Sequence, residues 1–371
     1  MPSRRRISIA AAIAAAPLAL AYRFALVYRV RAGQPRRRPP RLTPADFGLP
    51  FQDIVVRSDA GELQAWFIPA RDGRPGPAVV LVHGWESARD RALPNVQFLH
   101  AAGFHCLVFD VRGHGANPAE TLPVSAGEFG TDAAAALATA LQRPDVTSAA
   151  LFGHSIGADG AILAAAADPR AAALVASAAP SDPYHLTRLT FQLAHLPFPD
   201  LIAYPLAWLT IRVYLRPRGH RVEDISARAA IARYDGPVLL AHGSADAVVP
   251  ISHLARLAAA AGNARRRRGT APVEVLVVAG GSHSWLYEDS RYRRTVARFL
   301  AEALNGPLPP DEAGERAAAV DARRLPEGDG WFAAVTNAPG RIRTIGELSG
   351  AVRPAQPWLA PPAGDDDTGR G

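Results

Sequence analysis

The chain has 371 residues, 49% hydrophobic and 20% charged, enough to bury one sizeable core or two modest ones and unlike a disordered chain. All 41 basic residues are arginine, and without lysine a P-loop, a pyridoxal Schiff base and a Ser-Lys dyad are excluded. The formal charge of +7 belongs to one end: Met1 to Arg41 holds ten arginines and no acid, leaving 31 arginines against 34 acids in the other 330 residues, so the body offers no broad basic face for nucleic acid.

The N-terminal stretch "RRRISIAAAIAAAPLALAYRFALVYRVRAG" admits two readings. A cleaved signal peptide has a basic start, an apolar centre and a small-residue site, here Ala19-Leu20-Ala21. A retained membrane anchor would use Ile7 to Tyr28, close to the roughly 20 residues that a bilayer requires. The arginines that follow (Arg23, Arg29, Arg31 and Arg36 to Arg38) hinder export and favour the anchor, a single pass with the body on the cytoplasmic side.

From Leu42 onward, short β-rich runs alternate with alanine-rich helical segments, the pattern of a mostly parallel sheet covered by helices on both faces. The predicted strands are "DIVVRS", "LQAWFIPA", "AVVLVHG", "HCLVFDV", "AALFGHS", "AALVASA", "PVLLAHG" and "VEVLVVAG", the first two close enough for an edge hairpin. Cys106, the single cysteine, reads as a small buried hydrophobe. Between about 182 and 232 the alternation stops, and an apolar, proline-divided stretch reads as a helical cap. The run Arg265 to Arg268 reads as a solvated loop. After Asn305 the composition turns to Pro, Gly, Asp and Ala, which predicts a largely disordered tail over 306–371, with Trp331, Phe332 and Trp358 as docking points. The organisation is thus an arm (1–41), an α/β domain (42–305) and a tail.

Chemistry enters at "LFGHSIGADG". Ser155 lies in a G-x-S-x-G motif between a predicted strand and a predicted helix, where a strained turn exposes its hydroxyl and the glycines permit close backbone approach. A serine needs a base, and the base needs an acid to hold its tautomer. His283 follows the last predicted strand in a glycine-containing loop, and Asp246 follows the strand before it, so the order is Ser155, Asp246, His283. His83, His114, His154 and His242 read as structural, and Asp110 as a brace for its loop. The oxyanion donors are the backbone N–H of Ile156 and, in "LVHGW", that of Trp85, whose indole also qualifies as pocket lining. In the cap, Phe191, Phe198 and Trp208 are candidates for an apolar pocket ceiling, which core packing within the cap would explain equally well. No metal-ligand motif or dinucleotide fingerprint occurs, and no cofactor is predicted.

Taken in order, "LVHGWESARDR", "VFDVRGHGAN", "GHSIGADGA", "LLAHGSADAVVP" and "GGSHS" resemble the α/β-hydrolase superfamily, nearest to its bacterial branch of esterases and serine aminopeptidase-like proteins, some of which carry an N-terminal membrane segment. The resemblance spans about Asp53 to Leu304 and implies an α/β-hydrolase fold; Asn117 stands where the pattern usually has serine. Three functions follow as expectations: a hydrolase of carboxylic esters or thioesters with hydrophobic, lipid-like acyl groups; a serine peptidase, with Glu86, Asp159 or residues of the cap as candidates to hold a peptide terminus; or a catalytically silent membrane-anchored scaffold. An intact nucleophile, acid and base favour the first.

Overall fold

The computed structural model describes residues 4–322, apart from 194, 195, 197 and 269–272, together with Leu325. Along the chain come α1 (Arg4–Ala32), β1 (Gln52–Ser58), β2 (Gly61–Ile68), β3 (Gly76–Val82), α2 (Leu93–Ala101), β4 (His105–Phe109), α3 (Ala126–Leu141), β5 (Val146–His154) and α4 (Ile156–Ala167). Next are β6 (Ala171–Ser177), α5 (Pro183–Leu193), α6 (Asp200–Leu215), α7 (Ala227–Ile231), β7 (Val238–Gly243), α8 (Ser252–Arg268), β8 (Glu274–Val278), α9 (Ser290–Leu304) and α10 (Pro310–Ala318).

The strands form one sheet in the order β1-β2-β4-β3-β5-β6-β7-β8. β1 and β2 pair antiparallel as the expected hairpin, β2 is antiparallel to β4, and the remaining pairs are parallel. β3 is buried at every position because helices cover both of its faces, which is why it reads as an unbroken apolar run. One face packs on α3 and α4 through Phe129, Leu137 and Ile162, and the other on α2 and α9 through Phe98, Val296 and Leu300. Cys106 is fully buried in β4, where burial raises its thiol pKa and keeps it in the inert thiol form.

The termini depart from expectation. Among the described residues no helix is long and apolar enough to cross a membrane. The span expected over Ile7–Tyr28 is helical, but its last turns pack on protein: Ala25 is fully buried, and Phe24 meets Phe191 and Phe198 edge-on at 5.5 and 5.8 Å. At the other end, α10 lies within the expected tail yet is ordered, because Ala313 and Ala317 are buried in the core shared with α2 and α9, and Arg293 donates to the Ala317 and Ala318 carbonyls. Trp331, Phe332 and Trp358 lie outside the described residues. The Arg265–Arg268 run closes α8 rather than forming a loop, where its charge complements the carbonyl end of the helix. Arg265 is buried and donates to the carbonyls of Tyr234 and Gly236.

Candidate active site

The turn from β5 into α4 places Ser155 as the N-cap of α4 with φ 56° and ψ −131°, a conformation that L residues rarely adopt. Its N–H donates to the Ser177 carbonyl at 2.9 Å, so the turn is tied to the end of β6. The flanking glycines are steric necessities: a Cβ on Gly153 would lie 2.3 Å from the Gly157 carbonyl oxygen, and one on Gly157 would lie 2.2 Å from that of His83. A Cβ on Gly84 would lie 3.3 Å from the Ser155 Cβ, so the loop leading into Trp85 runs directly beside the serine. Ile156 opens α4, and its N–H is one of the first-turn donors that no helical carbonyl can reach. Both expected oxyanion donors therefore belong to segments that border Ser155.

Asp246 follows β7 in a tight turn and is buried. Its Oδ1 accepts the Val248 and Val249 amides at 2.9 and 2.8 Å, while Oδ2 lies 2.8 Å from His283 Nδ1 and 3.2 Å from His242 Nε2. Burial opposes ionisation of this carboxyl, but the two histidines and the hydrogen bonds outweigh it and hold the group well below the usual carboxylate range. His283 is buried as well, and its Nε2 has no hydrogen-bond partner among the described residues. One ring nitrogen thus meets the carboxylate and the other is left open, an arrangement that suits a general base. His154 lies 4.9 Å from the His283 ring, and burial followed by His283 depresses its pKa to about 3, so it stays neutral.

The other strand-end histidines hold backbone. His83 accepts from the Val111 amide through Nε2 and bonds the Gly84 carbonyl through Nδ1, which anchors the loop before Trp85. Asp110 accepts from the Arg89 amide and guanidinium and from the Ala116 amide, bracing its loop. Asn117, the departure from the usual serine, ties that loop to β2: Nδ2 donates to the Asp110 carbonyl and Oδ1 accepts from the Gln64 amide.

The cap candidates are dispersed. Phe191 is buried against Phe24, Tyr28 and Phe198, so Phe191 and Phe198 form cap core with α1, and Trp208 is 53% exposed beneath the Arg212 guanidinium. The cap approaches Asp246 instead through Leu189, which packs on Val248 and Val249. A cavity beside the elbow is lined by Leu81, Val82, Ala92 and Phe152 together with Ser87, Arg91, Asn95 and His154, so apolar walls carry a few polar groups, of which Ser87, Arg91 and Asn95 were not singled out from sequence.

Two further features were missed. His242 as second partner of Asp246 was signalled only by the i, i+4 spacing in "HGSAD". The arm after α1 reaches the loop that carries Trp85: the Arg36 amide donates to Glu86 Oε1, Arg38 lies 3.9 Å from Glu86, and the Arg41 amide donates to Asp90. Glu86 is therefore engaged by the arm, and Asp159, the other residue considered for a peptide terminus, is buried with Oδ1 unpartnered. Burial, and then Asp182, raise its pKa well above the usual range.

A sheet with this strand order, carrying a serine at the sharp turn between its central strand and the following helix, defines an α/β hydrolase. Comparison with known proteins agrees: residues 73–216 match the family model described as Serine aminopeptidase, S33. The uncharacterized protein Rv2307c of Mycobacterium tuberculosis is 31% identical over 261 residues, covering 68% of this chain and 79% of the relative. Human Protein ABHD12B is 29% identical over 251 residues, 64% of either chain. The solved esterase Pf2001 of Pyrococcus furiosus shares the fold with a TM-score of 0.57 at 21% identity, covering 73% of this chain and 97% of that one. The chain belongs to the α/β-hydrolase superfamily.

Proposed function

We propose that this chain is a serine hydrolase that cleaves carboxylic ester or thioester bonds of hydrophobic acyl substrates through an acyl-enzyme. The observation that carries the reading is the setting of His283, whose Nδ1 is held by Asp246 while its buried Nε2 has no partner among the described residues. Ser155 Oγ attacks the carbonyl carbon as His283 Nε2 takes its proton. The oxyanion is met by the Ile156 and Trp85 amides, and collapse expels the alcohol or thiol with the proton returned from His283. Water, deprotonated by the same nitrogen, then attacks the acyl-enzyme and releases the acid. The contact of Leu189 with Val248 and Val249 supports an apolar acyl group, since it brings apolar cap surface next to Asp246.

The peptidase reading is favoured by the description of the matching family model. It needs a charged group for a substrate ammonium, and Asp159 is a poor one because its burial favours the neutral acid. The test is labelling with a fluorophosphonate, followed by turnover of p-nitrophenyl esters of increasing chain length, thioesters and aminoacyl amides side by side. Labelling of the wild type that is absent in Ser155→Ala, with esters turned over faster than amides, is the expected result; a folded wild type that neither labels nor turns over any of them refutes the enzyme reading.

A further inference from the structure

The cap carries an apolar surface that the hydrolase chemistry does not use. Along α6, Leu201, Tyr204, Pro205, Trp208 and Arg212 recur at spacings of three and four, so they share one helix face, and all are exposed. The opposite face, with Ala203, Leu206, Ala207 and Ile211, is buried. A helix apolar on both sides, with Leu201 87% exposed, is unusual at a surface in contact only with water.

The stripe has the composition of a lipid interface. Arg188 lies over the Tyr204 ring at 4.5 Å and Arg212 over the Trp208 ring at 3.9 Å, so each aromatic is paired with a cation. Aromatic rings flanked by arginine suit the headgroup level of a bilayer, where one side is apolar and the other wet. α1 packs alongside α6 and adds the exposed apolar side chains of Leu18, Leu20, Tyr22, Val27 and Val30. The segment that contains it, Met1 to Arg41, bears ten arginines and no acid; Arg37 and Arg38 turn to Asn117 and Glu86 of the body, and the excess of positive charge in the segment complements anionic headgroups.

We propose that the outward faces of α6 and α1 dock this protein on the surface of an anionic lipid bilayer, with the cap held at the interface. The proposal is independent of the hydrolase reading, since binding is measured apart from turnover. The full chain is floated with vesicles of phosphatidylcholine alone and of phosphatidylcholine with phosphatidylglycerol, beside a Leu201→Glu/Tyr204→Glu double variant whose fold is checked by its melting temperature and by its circular dichroism spectrum. The expected result is binding to the anionic vesicles that weakens with salt and falls at least tenfold in the double variant. Three results would overturn it: no vesicle binding by the wild type; binding that the double variant retains in full, which would assign it to the arginine-rich end alone; or a wild-type dimer in analytical ultracentrifugation that the double variant dissociates, which would make a second copy the occupant.

Discussion

Asp246 Oδ2 meets His283 Nδ1 at 2.8 Å while Oδ1 accepts two backbone amides, so the carboxylate is fixed before it fixes the imidazole. In Asp246→Asn the amide would turn an N–H toward one or both histidines and favour the wrong tautomer of His283. Esterase kcat is expected to fall by about a thousandfold or more, with fluorophosphonate labelling slowed in parallel. The pH dependence of stability changes as well. The folded pKa of Asp246 lies below its ordinary 3.8, so its stabilisation is present above that value and lost as pH falls below it. Acid unfolding monitored by circular dichroism should lose this contribution in the variant.

Glu86 has φ 49° and is held by the Arg36 amide and the Arg38 guanidinium, next to Trp85, whose N–H is the proposed second oxyanion donor. It acts as a positioning residue. Glu86→Ala releases the arm from the loop while the fold, anchored elsewhere, persists. A fall in kcat of about tenfold with KM little changed is expected, less than the loss of an oxyanion donor outright. Glu86→Gln, which keeps the acceptor for the Arg36 amide, should recover most of it. Equal losses in both variants, or a loss confined to KM, would contradict this role.

The strands were legible because β3 to β7 are buried along most of their length and read as mostly apolar runs, and the β1–β2 hairpin because its two runs are separated by a short polar turn. Ser155 was legible for a steric reason, since Gly153 and Gly157 cannot be anything larger. What sequence does not display is which partner covers an apolar face. Phe191 and Phe198 read equally as pocket ceiling or cap core, and they are cap core because Phe24, more than 160 positions away, supplies the covering ring. The same holds for the arm: Arg36, Arg38 and Arg41 read as generic basic charge, whereas their contacts with Glu86 and Asp90 are made about 50 positions along the chain, two of them by backbone amides that every residue carries. The helix α10 was missed because its two buried alanines are too few to stand out from a Pro- and Gly-rich background.

Asp159 gives the stability a second pH dependence, of opposite sign. Its folded pKa is raised by burial and by Asp182, so the folded state holds a proton that the unfolded chain releases near the ordinary value of 3.8. Its contribution is complete below that value and is lost as pH rises toward the raised pKa, at about 1.4 kcal/mol per pH unit for one proton. Asp159→Asn removes the titration and keeps the shape. The variant should melt several degrees above the wild type at about pH 8, with the difference closing toward about pH 4. Thermal melts across that range would contradict the assignment if the two proteins ran in parallel.

Two glycine-to-alanine substitutions should act in opposite directions. At Gly157 the new methyl would meet backbone oxygens of His83 and Val82 at 2.2 and 2.5 Å, atoms belonging to the end of β3 and the loop beside Ser155. Neither can withdraw without breaking the sheet register or the approach of that loop, so a loss above about 3 kcal/mol, or failure to fold, is expected. Gly262 lies within α8 and its Cβ would meet only the end of the Arg266 side chain, at 3.4 Å. There alanine restricts the unfolded chain and favours the helix, for a gain of about 0.5 to 1 kcal/mol. Urea denaturation of both variants tests the pair. A Gly157→Ala protein as stable as the wild type would mean that the β3 end and the elbow are farther apart than the structure places them, and the steric account of the G-x-S-x-G motif would fail with it.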